Sequence, residues 1–198
     1  SSVPADPTTV PAMIIAALFV LVRAQSLPMC DPGNGGITLP DGFCAVVAAN
    51  DLGIARHMVA APNGDLYVSD GYGNSRVVKF SKDARYLLAW GKKGKGPGEF
   101  NTPHSIAVDA QGNVYVGDRG NARVQVLNND LTLKAIYDTV GNPWAVCVSG
   151  GPHQYLYASN SWPDSSPATA RDITGEIYKM ELDGTIVGRF GKAGKNLK

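Results

Sequence analysis

Along most of the chain, short apolar stretches of about five residues alternate with turns rich in Gly, Asn and Asp. Ile106-Ala107-Val108 runs into Ala110-Gln111-Gly112-Asn113, then Val114-Tyr115-Val116, a polar turn from Asp118 to Asn121, and Arg123 to Leu127. Apolar residues here do not recur at helical spacing, and the stretches are too short for helices. The pattern predicts β-strands joined by tight turns.

The same grammar repeats. Gly64-Asp65-Leu66-Tyr67-Val68-Ser69-Asp70 aligns with Gly112-Asn113-Val114-Tyr115-Val116-Gly117-Asp118 at an offset of 48 residues, and Asn74–Val78 aligns with Asn121–Gln125 at 47. A third copy, Leu156-Tyr157-Ala158-Ser159-Asn160, lies 42 residues after the second. After an insertion at 161–174, Glu176–Met180 takes the slot of Arg76–Phe80. A fourth strand ends in Trp90-Gly91 in the first copy and in Phe190-Gly191 in the third. Four antiparallel strands at a period of roughly 40–50 residues describe a propeller blade. The expected fold is therefore an all-β β-propeller with about three four-stranded blades, incomplete as a ring. Asp70 with Arg76, and Asp118 with Arg123, are expected to pair within a blade and tie the second turn to the third strand. Three blades leave strand edges open. The expectation is a partial chain, or edges covered by a protein partner or by self-association.

Composition changes little. Of 198 residues, 44% are hydrophobic and 18% charged, and the net charge is +1. That excludes a disordered chain and gives no global pull toward nucleic acid or an anionic membrane. Lys92-Lys93-Gly94-Lys95 is the one basic cluster, and four glycines in 91–98 mark it as a flexible, solvated inter-blade loop.

The N-terminus stands apart. Met13 to Val22 is a ten-residue apolar run followed by Ala24-Gln25-Ser26. It is short for a membrane span, which takes about 20 residues, and suits a secretory h-region with a small-x-small cleavage site. No Lys or Arg precedes it. The expected organisation is a leader at 1–26, an N-terminal segment at 27–50 and propeller blades at 51–198. Localisation is then secreted or periplasmic, with membrane attachment only if the leader is retained as an anchor. In an oxidising compartment Cys30 and Cys44 are expected to form a disulfide. Cys147, in Ala145-Val146-Cys147-Val148, reads as a buried thiol. No zinc-ligand spacing appears. His57 and His153 read as surface residues without partners.

The pattern Pro103-x-x-Ile106-Ala107-Val108-Asp109-x-x-Gly112-Asn113-Val114-Tyr115-Val116-x-Asp118, with Asn121 and Arg123 following, resembles the NHL repeat. Residues 65–127 further resemble two neighbouring blades of peptidylglycine amidating lyase. The segments 69–76, 100–105 and 118–121 carry that likeness. The family cleaves a peptidyl-α-hydroxyglycine to a peptide amide and glyoxylate at a zinc held by three His from different blades. By resemblance His104 takes a zinc-ligand position, Tyr72 the catalytic tyrosine and Arg119 an active-site arginine. In the repeat register Arg56, rather than His57, falls opposite His104. One potential ligand does not make a closed zinc site.

Residues 30–68 resemble the opening blade of sorbosone-type sugar dehydrogenases, which use pyrroloquinoline quinone. The segments 30–36, 39–44 and 55–64 carry this second likeness. That family's catalytic and quinone-binding residues come from later blades, where the pattern does not continue. The favoured functional expectation is an extracytoplasmic binding or scaffold module that is not an enzyme as it stands and holds no assigned cofactor. A zinc-dependent amidating-lyase-like enzyme is the alternative, and a quinone-dependent dehydrogenase the second.

Overall fold

The computed structural model describes residues 30–47, 52, 54–161 and 175–191. The leader region and most of the 161–174 insertion lie outside them. Twelve strands form three four-stranded antiparallel sheets, each a meander in chain order. Blade 1 holds β1 (His57–Ala60), β2 (Leu66–Asp70), β3 (Arg76–Phe80) and β4 (Tyr86–Trp90). Blade 2 holds β5 (Pro103–Val108), β6 (Val114–Asp118), β7 (Arg123–Leu127) and β8 (Leu133–Tyr137). Blade 3 holds β9 (Pro143–Val148), β10 (Leu156–Asn160), β11 (Glu176–Met180) and β12 (Ile186–Gly191). The stretches around Tyr67, Tyr115 and Tyr157 are the second strands of successive sheets, as the repeat required.

Local sequence explains the hairpins. Gly64 and Gly112 close the first turn of blades 1 and 2 at φ 87 and φ 84, a region that glycine enters without steric cost. Ser75 and Ala122 precede the third strand at φ 51 and φ 53, and blade 3 places Gly175 at that point. Each such turn sets up the clamp behind it. Arg76 Nε donates to Asp70 Oδ2 at 2.8 Å, and Arg123 Nε to Asp118 Oδ2 at 2.8 Å. Both expected pairs form.

The apolar layers lie between blades. Tyr67, Val77, Phe100, Ile106, Val114 and Leu127 fill the seam between blades 1 and 2. Tyr115, Val126, Val140, Leu156, Tyr178 and Met180 fill that between blades 2 and 3. First strands contact each other in turn, β1 on β5 and β5 on β9, so they line the inside of the arc.

Three expectations change. Residues 91–98 are pinned rather than flexible: Arg123 donates to the carbonyls of Lys95 (3.0 Å), Gly96 (2.8 Å) and Glu99 (2.7 Å), and Gly98 N donates to Gln125 Oε1 (3.0 Å). Cys147 is exposed, not buried. Strand alternation turns Val146 into the seam with blade 2 and Cys147 to the opposite face of blade 3. His153 has a partner, Glu181 Oε2, at 2.9 Å. The Cys30–Cys44 disulfide forms as expected, with Cα atoms 5.6 Å apart. Among the described residues no helix is long and apolar enough to cross a membrane.

Candidate functional site at the inner-strand mouth

The first strands begin at one end of the arc, and the turns after β2 and β6 fold over that same end. Pairing fixes which residues correspond. His57 opposes Ser69, and Ser105 opposes Gly117. The Ala145 amide donates to Ser159 Oγ at 2.9 Å, as the His57 amide does to Ser69 Oγ at 3.1 Å. The residue before each, at the mouth, is Arg56 in blade 1, His104 in blade 2 and Trp144 in blade 3.

These three meet. His104 is fully buried. Arg56 Nη2 lies 2.9 Å from His104 Nε2, and His104 Nδ1 lies 2.8 Å from the Trp144 carbonyl oxygen. A guanidinium only donates and a carbonyl only accepts, so Nε2 carries the lone pair and Nδ1 the proton. The imidazole also sits against the Trp144 ring, centroids 4.3 Å apart. Burial holds His104 below its usual pKa. The hydrogen bond to Trp144 opposes the shift, and the charges of Arg56 and Arg119 reinforce it.

The residues expected from resemblance come to the same place. The Tyr72 ring is 6.0 Å from that of His104, and the Arg56 guanidinium lies over it at 4.8 Å. Arg119 is buried, with its guanidinium 4.4 Å from the Trp144 centroid and its Nε donating to Ser161 Oγ at 3.4 Å. Asn142 Nδ2 donates to the Arg119 carbonyl at 2.7 Å. Two guanidinium–aromatic stacks thus flank one neutral imidazole. Gly71 permits the approach: a Cβ there would run into the Pro103 carbonyl oxygen.

Sequence reasoning passed over Arg56, Trp144 and His57 as site residues. His57 is exposed, yet its ring stands 5.6 Å from that of His104. The signal for Trp144 was present, because Asn142-Pro143-Trp144 repeats Thr102-Pro103-His104 in the third copy.

Zinc does not fit this arrangement. Among the described residues no three His, Cys, Asp or Glu side chains converge. The Nε2 lone pair of His104 is already taken by a cation, and a second guanidinium stacks on Trp144. A divalent ion would have to displace Arg56 against that charge.

The NHL repeat family model matches residues 57–80 and 100–127. Over 69 residues the chain is 48% identical to NHL repeat-containing protein 3 of Homo sapiens, covering 34% of this chain and 20% of that protein. Over 142 residues it is 35% identical to the probable peptidyl-alpha-hydroxyglycine alpha-amidating lyase of Caenorhabditis elegans, covering 70% of this chain and 41% of that protein. The chain therefore spans less than half the length of either relative. The hydrazine synthase structure of Kuenenia stuttgartiensis superposes with a TM-score of 0.57 at 14% identity, over 80% of this chain and 41% of that one, a likeness of fold alone. The sorbosone-type reading of residues 30–68 draws no support from these proteins. With its repeats matched and its blades formed, the chain carries NHL repeats, at residues 57–80 and 100–127, in a fold of the β-propeller type.

Proposed function

We propose that this chain is an extracytoplasmic binding module that captures a carboxylate-bearing ligand at the mouth and leaves it chemically unchanged. The saturation of His104 carries this reading. With Nε2 taken by Arg56 and Nδ1 by the Trp144 carbonyl, the imidazole has no free nitrogen for a metal or a substrate proton. What the mouth offers instead is fixed positive charge beside flat apolar surface. Arg56 makes no ion pair with a carboxylate among the described residues, and the rings of Tyr72 and Trp144 are exposed. Arg56, exposed and stacked on Tyr72, keeps the N–H groups not spent on His104 for a carboxylate. Export is supported by the apolar run at 13–22 and by the Cys30–Cys44 bridge.

A relative named for peptidyl-alpha-hydroxyglycine makes a peptide terminus the first ligand class to test. Calorimetric titration with N-acetyl-Tyr-Val-Gly as the free acid should show binding, with its C-terminal amide at least about tenfold weaker. Arg56→Ala should abolish the preference. Equal affinity for acid and amide, or no binding of either, refutes the reading.

A second reading, an amidating-type lyase, is favoured by the meeting of Tyr72, His104 and Arg119 at one mouth and by the 142-residue alignment. Glyoxylate release from a peptidyl-α-hydroxyglycine, lost in His104→Ala, would establish it over the first.

A further inference from the structure

We propose that Asn34 is a site of spontaneous covalent modification: the Gly35 amide closes on its carboxamide, ammonia leaves, and the succinimide so formed opens to aspartate and isoaspartate. The chain holds two Asn-Gly steps, Asn34-Gly35 and Asn63-Gly64. Both place the glycine at positive φ, Gly35 at 61 and Gly64 at 87. Glycine leaves the approach of the attacking nitrogen unobstructed, because no Cβ stands beside it. The two sites differ in what surrounds the reacting atoms.

The nucleophile differs first. The Gly64 amide is spent on the Ala61 carbonyl at 2.8 Å, which closes the β1–β2 turn. Around Asn34 the neighbouring amides are bonded too, Asn34 N to Asp31 O at 2.9 Å and Gly36 N to Gly33 O at 2.8 Å. The Gly35 amide between them makes no hydrogen bond among the described residues, and Gly35 is exposed. Water can take its proton.

The carboxamide differs as well. Asn34 Oδ1 accepts the Ala45 amide at 3.1 Å, while Nδ2 has no partner among the described residues. Negative charge gathers on that oxygen as Cγ is attacked, so the fixed donor stabilises it, and the leaving nitrogen is open to a proton from water. Asn63 Oδ1 also accepts a backbone amide, that of Asp65 at 3.1 Å, but its Nδ2 donates to Asp65 Oδ2 at 2.9 Å. That bond holds the leaving nitrogen and sets a carboxylate beside the charge that must form. Space follows the same division. Nothing lies within 4 Å of where a Cβ would stand on Gly33 or Gly36, whereas at Gly64 that place meets Lys82 Cβ at 2.9 Å.

One C–N bond forms, from Gly35 N to Asn34 Cγ, and one breaks, from Cγ to Nδ2. The Gly35 proton passes to water, Nδ2 leaves as ammonia, and water then opens either carbonyl of the ring. Nothing is oxidised or reduced. Isoaspartate adds a methylene to the main chain inside the loop closed by Cys30 and Cys44, and shifts the oxygen that holds Ala45. The bridged loop thus carries a slow, one-way clock.

The full chain, held at mildly alkaline pH and sampled over weeks, can be digested and read by mass spectrometry. The peptide containing Asn34 should gain the mass of an amide turned to an acid and score for isoaspartate, at least about tenfold faster than the peptide containing Asn63. In urea the two peptides should react at similar rates, since the fold supplies the difference. Asp65→Ala should speed the reaction at Asn63 and leave Asn34 as it was, and Asn34→Gln should silence the first site. An unmodified Asn34 peptide, an Asn63 that reacts as fast in the folded chain, or a rate ratio that survives urea overturns the proposal.

Discussion

Removing Arg123 is expected to be the most damaging single change outside the apolar seams. Its guanidinium is 10% exposed, pairs with the fully buried Asp118 at 2.8 Å and donates to the carbonyls of Lys95, Gly96 and Glu99. Taking one partner from a buried pair costs about 3–5 kcal/mol, because the other charge stays buried without it. Arg123→Ala also leaves three linker carbonyls short of a donor, so about 4 kcal/mol is expected. Arg76 makes the same ion pair in blade 1, but its side chain is 35% exposed. Arg76→Ala admits water to Asp70 and should cost about 2 kcal/mol. Arg123→Lys keeps the charge but not the five-donor fork, and should recover less than half of the loss. Urea unfolding of the variants measures this at equal slope. Amide exchange adds a local readout, since Gly94 and Phe100, bonded to Phe100 O and Lys92 O at 3.0 and 2.8 Å, should lose protection only in the Arg123 variants. Equal costs at the two sites, or unchanged exchange at the linker, would refute the reasoning.

Other expectations follow from single features. His104 has a folded pKa below its usual 6.5, so the unfolded chain binds more protons than the folded one just below that pH. Melting temperature should therefore fall on acidification below about pH 6.5, with a shallower fall in His104→Gln; parallel profiles would contradict this. Gly71→Ala should destabilise by about 1–3 kcal/mol and displace the Tyr72 turn, because its Cβ meets the Pro103 carbonyl. Gly73→Ala, with nothing within 4 Å, should stay within about 0.5 kcal/mol. The bridged loop at 30–44 accounts for about 3 kcal/mol in the chain-entropy picture. Among the described residues its hydrogen bonds stay within the segment, so Cys30→Ser should expose residues 30–47 to protease while blade melting holds steady.

The blades were legible because their signal is periodic. Strand alternation, turn glycines and the Asp118–Arg123 spacing recur at nearly fixed offsets, so each copy supports the reading of the others. The site was legible only in part. Resemblance names Tyr72, His104 and Arg119 as site residues, and the structure places all three around the same mouth. The partner that decides His104's chemistry, Arg56, had been placed opposite it in register. Register alone could not say that its guanidinium would reach Nε2, because that contact crosses the seam between blades. Cys147 misled because an apolar run suggests burial, whereas burial there depends on which face the next sheet covers. The linker misled through its glycines: their backbone freedom was visible, but the arginine that removes it lies 24 to 28 positions further along.

The claim that His104 is closed to metal by Arg56 and the Trp144 carbonyl is tested most directly by metal content. The full chain, purified, exposed to excess zinc and dialysed, can be assayed by mass spectrometry alongside His104→Ala. Less than about 0.1 zinc per chain is expected, with no difference between the two proteins. One zinc per chain that disappears in the variant would contradict it.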